Sequence, residues 1–200
     1  MAAGALIPTN KLVRCEFTLV PVGTRRMGNS GASQIVKNGP SRWMLSVVTE
    51  RLTIADGRDW SPWLNDRRDR GETFTAFNLF RVKGAGALGT ADGSIGLTVD
   101  AVNWELDLTG CGAYVAKKGD FISYRTANSG YYCGEIREDA TAVGGAVTVK
   151  VNPQPLPKHA TPAVRRVQAL AEFELTTDPG PFEDYVGRSL AFEAMQVIRD

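Results

Sequence analysis

The sequence predicts a mainly β chain, a sandwich or barrel carrying one short helix. Three observations lead there. Its 21 glycines and 10 prolines fall between short apolar runs rather than inside long ones. Strand-like runs recur at regular spacing between turn signals. Only one stretch has helix signals at both ends. At 200 residues, with 43% hydrophobic and 22% charged side chains, the chain has the size and composition of a single folded domain rather than a disordered one.

Residues 12–22 (LVRCEFTLVPV) alternate partly and end at Pro21, as an opening strand with a peripheral end does. Residues 23–39 are polar and glycine-rich and predict a long loop carrying Arg25, Arg26 and Lys37. Residues 42–54 have the β-branched content of a central strand, stopped at Asp56-Gly57. The helix is expected over 59–70, with Ser61 as cap, Pro62 in the first helical position and Gly71 as a left-handed stop. Twelve residues are marginal alone, so Trp60, Trp63 and Leu64 should lie on a sheet while Asp66, Arg67, Arg68, Asp69 and Arg70 stay wet. Residues 73–82 form the next strand. A glycine-rich loop at 84–96 is followed by short strands at 97–102, 104–108, 121–125, 131–137 and 146–151. The proline-rich stretch 152–162 excludes a central strand or a helix. Two closing strands are expected near 164–175 and 189–198.

Charge balances almost completely, at 23 basic against 22 acidic residues. Such a chain is not held to nucleic acid by bulk positive charge. The charge is uneven, however: 13 basic and 7 acidic residues in 1–90, against 2 basic and 7 acidic in 171–200. Complementary patches of this kind set register between neighbouring copies, or else are simply solvated faces. The opening residues lack a positive n-region and hold only a short apolar stretch, which predicts neither a signal peptide nor an anchor. Cys15, Cys111 and Cys133 are odd in number and without CxxC spacing; they read as small buried hydrophobes, although a Cys111–Cys133 bridge is open geometrically. One histidine, His159, makes a zinc site improbable.

The catalytic inventory is close to empty. Gly84, Gly86 and Gly89 spell G-x-G-x-x-G after a strand, but a strand rather than a helix follows, so no helix N-terminus would hold a phosphate. The GNSGAS run at 28–33 has no base but His159. Asp92, Asp100, Glu105 and Asp107 crowd one region, with alternation placing Asp100 and Glu105 on different faces. Trp43, Phe74, Phe77, Phe80, Tyr131 and Tyr132 sit in expected strands and read as core rather than as a base-stacking platform. No catalytic residue, cofactor or metal is expected.

The order of features resembles distal tail, or baseplate-hub, proteins of long-tailed bacteriophages. The resemblance rests on Gly31, Gln34, Arg42, Trp43, Gly71, Thr73 and Phe74 in the first half. In the second half it rests on Lys117, Gly119, Asp120, Gly145, Val147, Val149, Pro155 and Leu156. It spans most of residues 30–198. It departs where Pro153-Gln154-Pro155 stands for the family's double proline, and in the richness of the 84–96 segment. The resemblance implies a non-enzymatic virion protein with a β-sandwich related to the tail-tube subunit. It further implies assembly in the host bacterial cytoplasm as a homo-oligomeric ring, a hexamer or else a trimer. That ring would join the tail tube to the tail tip or hub and pass DNA through its lumen. The loops at 23–39 and 84–96, with Arg25, Arg26, Lys37, Gly84, Gly86 and Gly89, are then candidates for wrapping adjacent subunits. The alternative is a carbohydrate-binding or adhesive sandwich at the tail tip, with an exposed Trp60, Trp63 or Trp104 stacking sugar rings.

Overall fold

A computed structural model describes residues 5–21, 23–27, 33–37, 41–92, 94–128 and 130–198. Gly31, one of the resemblance positions, and Ser30 of the GNSGAS run lie outside them. In chain order the strands are β1 (Ala5–Leu6), β2 (Leu12–Val20), β3 (Gly23–Met27), β4 (Ser33–Lys37), β5 (Arg42–Arg51), β6 (Phe74–Phe77), β7 (Gly96–Asp100) and β8 (Glu105–Thr109). They continue as β9 (Val115–Ala116), β10 (Phe121–Arg125), β11 (Tyr131–Ile136), β12 (Ala140–Thr141), β13 (Ala146–Asn152), β14 (Leu170–Leu175) and β15 (Ser189–Gln196). The helix α1 spans Gly57–Arg70. The chain is therefore mainly β with one short helix.

Two open sheets carry the fold. The first runs β1-β6-β14-β15-β5-β2, antiparallel except for β1 beside β6; the second runs β10-β11-β13-β8-β7, antiparallel throughout. The first sheet curls until β2 comes back beside β6 and the 3-10 turn Leu79–Arg81, yet it forms no ladder with them. The curl leaves a seam along β2 instead of a closed barrel.

Each sheet has its own apolar cluster. Trp43, Leu45, Phe74, Phe173 and Phe192 fill the first, with α1 laid against it through Trp60, Trp63 and Leu64. The Trp63 ring meets Phe74 edge-on at 4.9 Å, a geometry that adds to simple burial. Leu106, Leu108, Val149, Tyr124 and Tyr132 fill the second. The β10–β11 hairpin is the wall between the two. Phe121 and Cys133 belong to the first cluster, while Ile122, Tyr124 and Tyr132 belong to the second. The register Ser123↔Cys133 and Tyr124↔Tyr132 assigns alternate pairs to opposite faces. Burial on both faces explains why FISYR reads as a run without polar alternation. Trp43 ties the sheets across this wall: its Nε1 donates to Cys133 O at 2.7 Å and its ring meets Phe121 at 5.3 Å.

The structure corrects five expectations. Residues 23–27 and 33–37 are not loop but a two-stranded arm, β3 paired with β4 and with no other strand among the described residues. The helix begins earlier than residue 59. Thr53 donates to the Asp56 carboxylate through its N–H at 2.7 Å and its hydroxyl at 2.8 Å, starting a 3-10 turn, Ile54–Asp56, that runs straight into α1. Asp56-Gly57 is thus an entry rather than a stop, Ser61 caps nothing, and Pro62 lies within the helix. Arg67 is buried rather than wet, with its guanidinium 5.1 Å over the Trp63 ring. Phe80 is 62% exposed, because β6 ends at Phe77 and Asn78 Oδ1 accepts the Phe80 N–H at 3.0 Å, turning the chain outward. The strand expected from 164 starts only at Leu170, because Ala163 (φ 47°) and Gln168 (φ 49°) break extended geometry.

Gly71 ends α1 in the left-handed region (φ 60°), as its position predicts. A Cβ there would touch nothing within 4 Å. Gly71→Ala is therefore expected to cost only the left-handed penalty, about 1–2 kcal/mol, read as a shift in the urea unfolding midpoint.

Candidate assembly surfaces

The residues singled out by sequence fall into three groups. The first is a polar knot beside the second sheet. Gly119 (φ 88°) turns the chain so that Asp120, only 5% exposed, accepts from Lys117 N at 3.1 Å and from Ala85 N at 2.8 Å. Arg81 Nη1 donates to Gly119 O at 2.5 Å. The structure thereby joins Gly119 and Asp120 to the 84–96 segment, two features the sequence presents separately. Gly84 abuts the Asp120 carboxylate, where a Cβ would stand 2.7 Å from Oδ2. The glycine spacing has a packing reason: Cβ atoms at Gly86 and Gly89 would lie 1.9 Å from Val115 O and 2.2 Å from Cys111 O. Gly86→Ala should therefore push backbone from backbone and cost about 1–3 kcal/mol, more than Gly71→Ala in the same unfolding assay.

A residue the sequence did not single out completes this anchoring. The Arg166 side chain is 1% exposed. Its Nε donates to Asp92 Oδ1 at 2.9 Å, Nη1 donates to Leu88 O at 2.5 Å, and Nη2 donates to Thr90 O. Its guanidinium also lies 4.6 Å over the Tyr114 ring. Asp92 Oδ2 accepts the Arg166 and Val167 N–H groups at 2.9 and 3.1 Å. The 84–96 segment is thus tied to its own chain along much of its length. Only an alignment of a buried arginine with a distant aspartate would have signalled this, and neither residue stands out in composition.

The second group is the proline-rich stretch. Tyr124 and Tyr132, their rings 4.8 Å apart and tilted by 33°, donate their hydroxyls to Leu156 O at 2.5 Å and Pro153 O at 2.6 Å. Pro155 is buried and Leu156 rests on the second cluster. Beyond it the chain covers the outer edge of β10: His159 N donates to Arg125 O at 2.9 Å, and Ser123 and Arg165 exchange backbone bonds at 2.9 and 2.7 Å. His159 Nδ1 accepts from Thr161 N at 3.2 Å, a local turn contact.

The third group surrounds β2 and the arm. Arg42 and Trp43 open β5; Trp43 N donates to Gln196 Oε1 at 3.1 Å. Gln34 lies on β4 opposite Arg26, Arg25 opposite Ile35, and Lys37 opposite Gly23. Phe74 opens β6 and is fully buried.

Carboxylates and thiols complete the survey. Asp100 and Glu105 face each other across the β7–β8 hairpin and share a face, contrary to the alternation argument, because directly opposite residues point the same way. Asp92 is elsewhere, with Arg166. The three cysteines are free and buried; burial pushes the Cys15 thiol up to about 12. Among the described residues no three His, Cys, Asp or Glu side chains gather as a metal site, and no helix is long and apolar enough to cross a membrane. Trp43, Trp60 and Trp63 are buried, and Trp104 is half-buried in a tight turn (φ 62°), so no tryptophan offers an open platform for a sugar.

Some of the uneven charge is consumed internally: Arg68 Nε meets Asp178 Oδ1 at 2.6 Å. No protein-family model matches the chain, and no curated protein sequence does.

Four carboxylates at or near the surface sit below their ordinary range. Asp178 is held there by Arg68, Asp139 by Lys117, Asp56 by the Thr53 N–H and Asp100 by the Asn103 N–H. A depressed folded-state value contributes stability above the unfolded value, about 3.9, which is lost as pH falls through the folded one. The melting temperature should therefore stay level between about pH 7 and 5 in these terms and decline below about pH 4, a profile checked by calorimetry.

Proposed function

We propose that this chain is a structural subunit of a bacteriophage tail. It forms a homo-oligomeric ring at the distal end of the tail tube, joined above to tube and below to tip or hub proteins, with DNA as passing cargo. One observation carries the reading: β3 and β4, between β2 and β5 in sequence, pair with each other in a sheet of two, with no third strand beside them among the described residues. An isolated two-stranded hairpin is marginal in water, and a neighbour in a ring supplies what it lacks. The motif residues support the reading from a second side. Arg42, Trp43, Gly71, Phe74, Gly119, Asp120, Pro155 and Leu156 occupy strand starts, a helix stop, a turn and a covering strap, which are the joints of a rigid building block. The tail-tip lectin reading loses its platform with the burial of Trp60 and Trp63.

Mass photometry across concentration and salt tests the proposal. A discrete hexamer or trimer with a central hole in negative-stain images is the expected result. A chain that stays monomeric at every concentration and salt overturns self-assembly into a ring.

A further inference from the structure

Two pairs of like charges stand side by side on this chain with no opposite charge beside them. The first lies where residues 158–165 cover β10. Ser123 is bridged to Arg165, and Arg125 stands two residues farther along β10. The two arginines are therefore diagonal neighbours on one face, roughly 7–8 Å apart, within reach of each other's long side chains. Arg165 is exposed; Arg125 is half-buried, its Nε enclosed without a hydrogen-bond acceptor. Neither has an ion pair among the described residues. Asp92, which shares a surface hollow with Arg165, is already bound to Arg166.

The second pair lies on the first sheet. Glu174 pairs with Met195 across β14 and β15, and Glu193 stands two residues before Met195. These carboxylates are diagonal neighbours as well. Both are exposed, and neither has an ion pair among the described residues. Their ladder partners on β15 and β5, Met195 and Ser46, bring no cation.

Charge and spacing together select the occupant. Like charges held this close repel, and an opposite pair at the same spacing removes the repulsion. Two guanidiniums on a diagonal match two carboxylates on a diagonal, one fork to each carboxylate. The protein itself carries that acidic counterpart, and no ion pair joins the two surfaces within one chain.

We propose that Arg125 and Arg165 of one copy meet Glu174 and Glu193 of the next. This deepens the ring reading and rests on it. The two surfaces belong to different sheets, so the contact is head-to-tail, and repetition closes a ring when the rotation per copy allows. It also gives a use to part of the acidic surplus of residues 171–200.

Charge reversal on the full chain tests the contact by mass photometry at low salt. Arg125→Glu with Arg165→Glu, and separately Glu174→Arg with Glu193→Arg, should each weaken assembly at least about tenfold, while the variant carrying all four should return to within about threefold of the unmodified protein. Circular dichroism and melting temperature check the fold of each. Should the half-buried Arg125 not tolerate reversal, Arg165→Glu, Glu174→Arg with Glu193→Arg, and their combination carry the test, all three positions being exposed. Assembly of the unmodified chain that ignores these substitutions, or that the combined variant fails to restore, overturns the contact and leaves the ring standing. So does a short DNA duplex that binds the unmodified protein through the two arginines while their reversal leaves assembly unchanged, since the pair is then a phosphate site. A monomeric unmodified chain overturns both.

Discussion

Arg166→Ala is expected to lower the melting temperature on the order of 10 °C. The guanidinium is buried and satisfies Asp92 Oδ1, Leu88 O and Thr90 O together. Breaking a buried pair by removing one partner costs about 3–5 kcal/mol. Asp92 keeps its two backbone donors and is partly wet, which places the effect near the lower figure. For a chain of this size each kcal/mol moves the midpoint by roughly 2–4 °C. Lysine should recover less than half of the loss, since an ammonium on a flexible stem lacks the fork that reaches three acceptors in a plane. Hydrogen exchange gives the sharper readout: amides of residues 84–96 should lose protection in the alanine variant before the sheets do. If they exchange no faster than in the unmodified protein, Arg166 is not what holds that segment.

Trp43→Ala should cost about 3–5 kcal/mol, the ordinary range for deleting a buried aromatic. The informative comparison is Trp43→Phe. Phenylalanine retains most ring contacts with Phe17 and Phe121 but leaves Cys133 O, deep in the wall between the clusters, without its donor. An orphaned buried acceptor costs about 1–3 kcal/mol. The indole therefore does two separable things, filling space in the first cluster and fastening the second sheet to it. Chemical denaturation of both variants separates them: a phenylalanine variant as stable as the unmodified protein would remove the hydrogen bond from the account.

The strands of the two sheets were legible because their cores impose alternation or continuous apolarity, and turns at Gly119-Asp120 and Gly144-Gly145 punctuate them. The helix stop was legible in Gly71, whose left-handed conformation few other residues accept. What escaped reading was held by long-range polar contacts. Arg67 and Arg166 are buried cations, and charge in a sequence argues for solvent unless the partner is known. The arm escaped because its glycine, serine and asparagine content has the composition of a loop, while pairing of β3 with β4 depends on register rather than composition. Phe80 escaped because one asparagine cap, not any periodicity, turns it outward. The seam was invisible for a simpler reason: β2 and the turn at Leu79–Arg81 are some sixty residues apart in sequence, and only the curl of the sheet makes them neighbours.

The strap that covers β10 has a consequence for growth. Of the two margins of the second sheet, the one at β10 is occupied by residues 158–165 of the same chain, while β7 has no further strand beside it among the described residues. Strand addition through that sheet can therefore happen once per molecule: two copies meeting β7 to β7 exhaust each other, and no third can join. Edge-to-edge growth through this sheet stops at the dimer, because the proline-bearing strap already occupies its other margin.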